Sequence, residues 1–407
     1  MIAINKISRK LKMKRFKKPN APYSNRCVQA KENIIKTKNT MKENNENLRW
    51  IISICICCCL LSSNTYLYAQ TTDYNNLENW EDICYCSTNN SYHPSTIVSA
   101  DNNWQLLLAM KNGVTLKQLD SLQVPYTKSQ LLLLMSQRLL KKDSLIYKTI
   151  IPILNSNQTS LLRKQSQFVA NEIYLEIEQE CRDLVTFLSK QNRSNNAYSI
   201  LFSYVLDGLI WRQFEKEEII KETDNSGTWS GNYWFLTPKR LVDCGGTNSL
   251  SNEDIEFNWN WSYSEKVTDG LWNKNIEALF PIAQGNSIPD KETINEFAEY
   301  GFFDKYSHLT IPVINEKENN DLYSLSIEIT DRLLLTFKAK ADVEQIKTTY
   351  GFSNNSEAVV IFYHEVMFDL MDLLLVNQVI QLPTAFKNSD KATIKDAADL
   401  CFIVMLK

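Results

Sequence analysis

Hydrophobic residues recur along this chain at two spacings, and the switches between them divide it into segments. Residues 70–100 are polar, rich in Asn, Ser and Thr, and carry no helical period, so an irregular leader is expected there. Next, Trp104, Leu107, Leu108 and Met110 precede Asn112-Gly113, a helix stop. Thr115-Leu116-Lys117-Gln118 and Thr127-Lys128-Ser129-Gln130 both read T-x-x-Q. In that capping box the Thr hydroxyl accepts from an amide of the first turn while the Gln reaches back to the Thr amide. They predict a short helix with Leu116, Leu119 and Leu122, ended at Val124-Pro125, and a third from Thr127 to about Lys142. Leu131, Leu134, Met135 and Leu139 lie on one face of the latter, and Leu145 to Ile151 has β-branched strand character.

Farther on, Ser160 to about Gln191 predicts a long helix with Leu161, Phe168, Val169, Ile173, Ile177, Cys181, Leu184 and Leu188 along its buried side. Residues 197–216 are apolar nearly all round, the mark of a buried helix, and with 156–196 they predict a helical hairpin over 156–222. Residues 223–263 change texture, with Trp229, Tyr233, Trp234, Phe235, Trp259, Trp261 and Tyr263 beside four glycines suggesting an aromatic-rich insert of short strands and turns. Residues 264–407 predict a mainly helical domain, with helices at Asp269 to Leu279, Lys291 to Tyr300 before Gly301, 328–349, and Ser356 to about Gln381. The expected fold class is mainly α with a smaller β component.

Helix, short helix, longer helix, strand: over residues 102–154 this order resembles a winged helix-turn-helix module, assigned to 101–155. The resemblance implies a recognition helix at 127–142 that turns Lys128, Gln130, Arg138, Lys141 and Lys142 toward a duplex. Charge argues against that use, because phosphate binding needs a concentration of positive charge and the chain around the module is rich in acids. The module is expected to contact protein or to be structural, and nucleic acid is not an expected partner.

Charge changes the picture mainly at the start of the chain. The formal net charge is -3, yet residues 1–40 hold 12 Lys and Arg against Glu32 alone, leaving the remainder acidic. From Met41, a short head ending in Arg49 leads into the apolar run Trp50 to Leu61 and then Leu67-Tyr68-Ala69-Gln70. That is the three-part plan of a secretory signal over 41–69, with cleavage after Ala69, and 1–40 is expected to be a basic extension outside the mature protein. The alternative is an uncleaved single-pass anchor, although twelve apolar residues fall short of the roughly 20 that a span requires. Cys55, Cys57, Cys58 and Cys59 make poor lipid-anchor sites, since Ile or Cys precedes each one. The signal ending and the Asn-rich composition resemble exported proteins of Bacteroidetes, which implies a periplasmic or cell-surface location. At 44% hydrophobic and 22% charged, the 407 residues can fill one large or two ordinary cores, which excludes collagen-like and mostly disordered chains.

Candidate chemistry is sparse. Cys84, Cys86, Cys181, Cys244 and Cys401 are odd in number, and the Cys84-x-Cys86 pair lacks the four ligands of a structural zinc site. Asp207 lies inside an apolar run and must find a partner, such as Tyr204, Arg212 or a backbone amide. His364-Glu365 opens like the zinc-peptidase pattern H-E-x-x-H, but the second His position is Phe368. At 100° per residue, Glu365, Asp369 and Asp372 share one narrow stripe with His364 off to the side, a pattern expected of the solvated side of a buried helix. Such a stripe could also bind a hard cation such as calcium. Trp229, Trp234, Trp259 and Trp261 would stack on a glycan or peptide if exposed together, though filling a core is the expectation. No phosphate-loop, dinucleotide or serine-hydrolase motif is present, and no cofactor or metal is expected. The leading expectation is a non-enzymatic exported protein that contacts protein or glycan, without membrane contact once its signal is cleaved. The runner-up is a hydrolase drawing acids from Asp207, Glu365, Asp369 and Asp372, with His364 nearby. A third is a membrane-tethered winged-helix regulator.

Overall fold

The computed structural model describes residues 80–85, 95–221 and 233–406, so the basic extension, the signal segment, His93, Cys86 and Trp229 lie outside the described residues. The fold is mainly helical with small sheets and buried aromatic clusters. Among the described residues no helix is long and apolar enough to cross a membrane.

The expected leader contains a strand, β1 (Trp80–Tyr85). Both capping boxes then form as the local sequence dictates. Following α1 (Asn103–Ala109), Thr115 closes its box with Gln118 at the end of β2 (Val114–Thr115), opening α2 (Leu116–Ser121). Thr127 closes its box with Gln130 and opens α3 (Lys128–Ser136). That helix stops well short of Lys142. Arg138 adopts φ +55°, which breaks the helical path, and β3 (Leu140–Asp143) pairs antiparallel with β4 (Ile146–Thr149). With β2 on the far side of β4, the order is β2-β4-β3. Leu106, Leu107, Leu119, Leu131, Leu134 and Tyr147 fill the core between these helices and the sheet.

α4 (Ser156–Lys190) is the longest element, capped by Asn155 and Gln158. It buries Leu162, Val169, Ile173, Ile177, Cys181 and Leu184, whereas Leu161 and Phe168 face solvent. Leu161 and Phe168 were both expected on the buried side with Val169, but only Val169 of the three faces the core, and Leu162 takes the inward position beside Leu161. α5 runs through Ala197–Ser199, a π-helical stretch Ile200–Leu209 and Ile210–Lys216. The wide turn holds Gly208 against the Ser203 carbonyl, where an added Cβ would stand 2.8 Å from that oxygen.

The strands of 223–263 belong to two different sheets. β5 (Tyr233–Pro238) pairs with β1 and places Trp234 and Leu236 in the core of the first module. β6 (Gly246–Ser251) and β7 (Ile255–Trp261) enter a sheet of order β6-β7-β9-β8, with β8 (Val313–Asn315) and β9 (Cys401–Met405). β9 is parallel to β8 and antiparallel to β7, and both its faces are covered: Cys401 and Ile403 enter one core, Phe402 and Val404 another.

Between β7 and β8 the expected helix over 269–279 is two short 3-10 turns, Leu271–Asn273 and Ile276–Leu279, and α6 (Lys291–Ala298) follows. The segment expected to be helical from 328 forms α7 (Asp321–Lys340) and α8 (Val343–Tyr350), beginning earlier because Asn320 caps it. α9 (Asn355–Val376) is capped by Asn354 and packs lengthwise on α4. At the centre of the helical core Phe214, Phe337 and Tyr363 meet in edge and tilted contacts, and the buried Tyr363 hydroxyl donates to Leu206 O at 2.9 Å.

Since the two capping boxes sit on separate helices, Thr115→Ala and Thr127→Ala should each cost about 1 kcal/mol and add when combined. Urea unfolding of the two single variants and the double variant checks this.

Candidate functional site

The acids of α9 meet two arginines. Glu365 and Asp369, four residues apart, point toward α4 and toward the segment after β5 that carries Arg240. The Arg240 guanidinium is a fork: Nη1 donates to Glu365 Oε2 and Nη2 donates to Asp369 Oδ1 at 2.8 Å. Nη2 also lies 3.5 Å from Asp372 Oδ2, and the guanidinium carbon sits 5.4 Å from the centre of the Phe368 ring. From α4, Arg163 Nε donates to both Glu365 oxygens at 3.2 Å, and its Nη2 donates to Pro238 O at 3.1 Å. The Ser166 hydroxyl donates to Asp369 Oδ2 at 2.5 Å.

The stripe expected on solvated surface is therefore split. Glu365 and Asp369 are buried, and only Asp372 reaches water. The helix angles placed the three acids together, but position 240 decided their environment. Burial pushes the Asp369 carboxyl above its usual range, against the pull of Arg240 and Ser166. Arg240 sits where a bound cation would be expected, so the stripe offers no open cation site. Among the described residues no three His, Cys, Asp or Glu side chains are grouped to hold a metal.

His364 faces the other way. It is buried, its Nδ1 lies 2.7 Å from Val360 O, and its ring lies tilted against Trp211 with centroids 4.9 Å apart. Burial holds the imidazole down to about 4, so it is neutral near pH 7.

Asp207 is in a separate polar cluster on the π-helical turn. Its partners are none of those expected: Trp211 Nε1 donates to Oδ1 at 3.1 Å and the Thr247 hydroxyl to Oδ2 at 3.0 Å. Thr247 also lies 2.7 Å from Ser203 Oγ, which accepts from Asn260 Nδ2 at 2.6 Å. Burial pushes the Asp207 carboxyl up to about 6, against those two hydrogen bonds. Its hydrogen-bond partners are not shared with Glu365 or Asp369. The small pocket beside Arg240, about 20 Å³, is bordered by Asp372, Asp243, Phe202 and Phe368, not by Asp207, and has room for about one water.

The described tryptophans do not form one face. Trp234 is in the module core, Trp259 in the core beneath the four-stranded sheet, and half-buried Trp261 packs over Gly245, where a Cβ would stand 2.5 Å from its ring. Trp272, which the sequence did not single out, is the exposed indole at 60%, edge-on to Trp259 at 4.7 Å. Cys181, Cys244 and Cys401 are buried free thiols. Arg240, Arg163 and Ser166 were also missed. An Arg following a strand was the available signal, and it does not point to a helix 125 residues away. Set against known proteins, the chain matches no family model, no curated protein and no solved structure.

Two outcomes test this site. Arg240→Met should cost about 3–5 kcal/mol at pH 7, because it leaves buried carboxylates short of a counter-charge. Asp369 has a raised folded value, so its contribution is present at low pH and lost as pH rises; without Arg240 that value rises further, and the penalty should shrink between pH 7 and 5 in urea melts. Asp207 behaves with the same sign. Its folded state keeps a proton between about pH 4 and about 6 that the unfolded chain has released, so stability falls as pH rises through that window, and Asp207→Asn should remove this slope.

Proposed function

We propose that the chain is an exported, non-enzymatic binding protein that acts by contact with another protein or a glycan, through a winged-helix-like module at 101–155. The order α1-β2-α2-α3-β3-β4, with the hairpin pairing on β2, supports the winged-helix reading. One observation carries the proposal: the outer face of α3, the recognition position of such a module, presents Leu132 at 63% and Leu133 at 39% exposure. Base edges and phosphates call for donors, and here Lys128, Ser129 and Ser136 flank bare isobutyl groups instead. Leu145, Ile146 and Ile150 of the hairpin region add further exposed apolar surface. Apolar surface of that kind favours a protein partner over both a duplex and a glycan, for which exposed rings such as Trp272, Tyr263 and Tyr306 would be the contacts.

The pairing of Glu365 weighs against the hydrolase reading, because an acid held by two guanidiniums is a poor proton carrier. Secretion through 41–69 with cleavage after Ala69 remains part of the proposal, and amino-terminal sequencing of the mature protein tests it.

Leu132→Ser combined with Leu133→Ser should leave the melting temperature within about 2 °C, since both side chains face solvent. The same change should abolish co-purification of the partner from a cell-envelope extract, and neither protein should retard duplex DNA at physiological salt. DNA retardation lost in the variant would reverse the reading.

A further inference from the structure

The hairpin of β3 and β4 closes through a two-residue turn, Ser144-Leu145, with Ser144 at φ +55°. Glycine and small polar residues serve such turns, yet here Leu145 stands at the tip, 75% exposed, and Ile146 beside it is 49% exposed. Below the tip, Lys141 and Lys148 lie directly opposite each other in the ladder, on the face away from buried Leu140 and Thr149. Both are exposed, and neither pairs with an acid among the described residues. Like charges at such a position repel, so the pair weakens the free hairpin and gains from an anion placed over it. Exposed Lys142 keeps its ammonium 5.3 Å from the centre of the Tyr147 ring, and Asp143 is the one acid of the hairpin sequence.

The wider charge distribution has the same sense. Residues 101–155 hold seven Lys and Arg against Asp101, Asp120 and Asp143, whereas residues 156–407 hold 37 Asp and Glu against 23 Lys and Arg. A field of that polarity turns the module, and not the rest of the molecule, toward a negative surface. A duplex would supply the charge but has no apolar phase for a bare leucine and isoleucine. A fluid bilayer with anionic headgroups has both: it yields to an apolar point and answers the amines around it.

We propose that the β3–β4 hairpin is a peripheral membrane contact, in which Leu145 and Ile146 enter the headgroup boundary of an anionic bilayer while Lys141, Lys142 and Lys148 meet lipid phosphates. The contact is shallow and reversible and acts beside the protein-binding face of α3. It departs from the expectation that the cleaved protein makes no membrane contact. Its test rests on the proposed cleavage after Ala69, because an uncleaved apolar run would bind lipid by itself.

Co-sedimentation of the signal-cleaved protein, its amino terminus first sequenced, with vesicles of about 70% phosphatidylcholine and about 30% phosphatidylglycerol tests this. Binding is expected at about 50 mM salt, falling steeply by about 500 mM and far weaker on pure phosphatidylcholine. Leu145→Ser should weaken it at least about 10-fold with the melting temperature unchanged. Lys148→Glu should weaken it at least about 5-fold without lowering the melting temperature, because an acid there faces Lys141. Leu132→Ser combined with Leu133→Ser should keep vesicle binding, so that this surface and the one for the protein partner fail separately. The proposal is overturned if the anionic vesicles do not bind, if Leu145→Ser or Lys148→Glu binds them as tightly as the wild type, or if the lysines hold duplex DNA in place of vesicles.

Discussion

A carboxylate enters a protein interior only with its charge answered, and α9 brings two of them into the same place. Arg240 and Arg163 answer Glu365, while Arg240 and Ser166 answer Asp369. Those contacts bind three separate stretches of chain: α4, α9 and the connection that leaves β5 for β6. On one side of that connection β5 pairs with β1, and on the other β6 and β7 continue into the four-stranded sheet. Arg163 extends the tie by donating to Pro238 O at the end of β5.

Glu365 and Asp369 are each held by donors from other elements, whereas Asp372 reaches water. What a hydrolase needs is an acid whose proton is exchangeable and a space in which a substrate can reach it; here the carboxylates accept from fixed donors, and the adjoining pocket holds about one water. Asp207, His364 and the acid stripe occupy three different environments on neighbouring elements, and Trp211 touches both Asp207 and His364. Glu365, Asp369 and Asp207 each accept from side chains of other elements.

Surface features point in the other direction. Apolar side chains that would be expected inside are displayed on α3 and on α4, where they leave the packed side of each helix intact. Each display sits on a helix secured by a capping box, which gives a partner a rigid face to meet and lowers the ordering cost of contact. In the proposed reading, such exposed faces are where a protein partner would bind.

Local signals were legible from the amino-acid order alone. Thr115 with Gln118 and Thr127 with Gln130 start their helices because each box closes within a single turn, and the shared direction of Glu365, Asp369 and Asp372 follows from helix geometry. The burial of Trp234 and Trp259 followed from composition. Tertiary structure decided the rest. The run Cys401-Phe402-Ile403-Val404-Met405 has strand character, yet its place at the centre of a sheet depends on β7 and β8, and α3 ends early because residues beyond Arg138 find a β partner in β4. Whether the acid stripe met water or arginine depended on Arg240, and whether Phe168 or Val169 faced inward depended on the elements packed against α4. Capping and helical angle are settled by neighbours within a few residues, whereas burial and charge pairing are settled by groups that only the folded chain brings within reach.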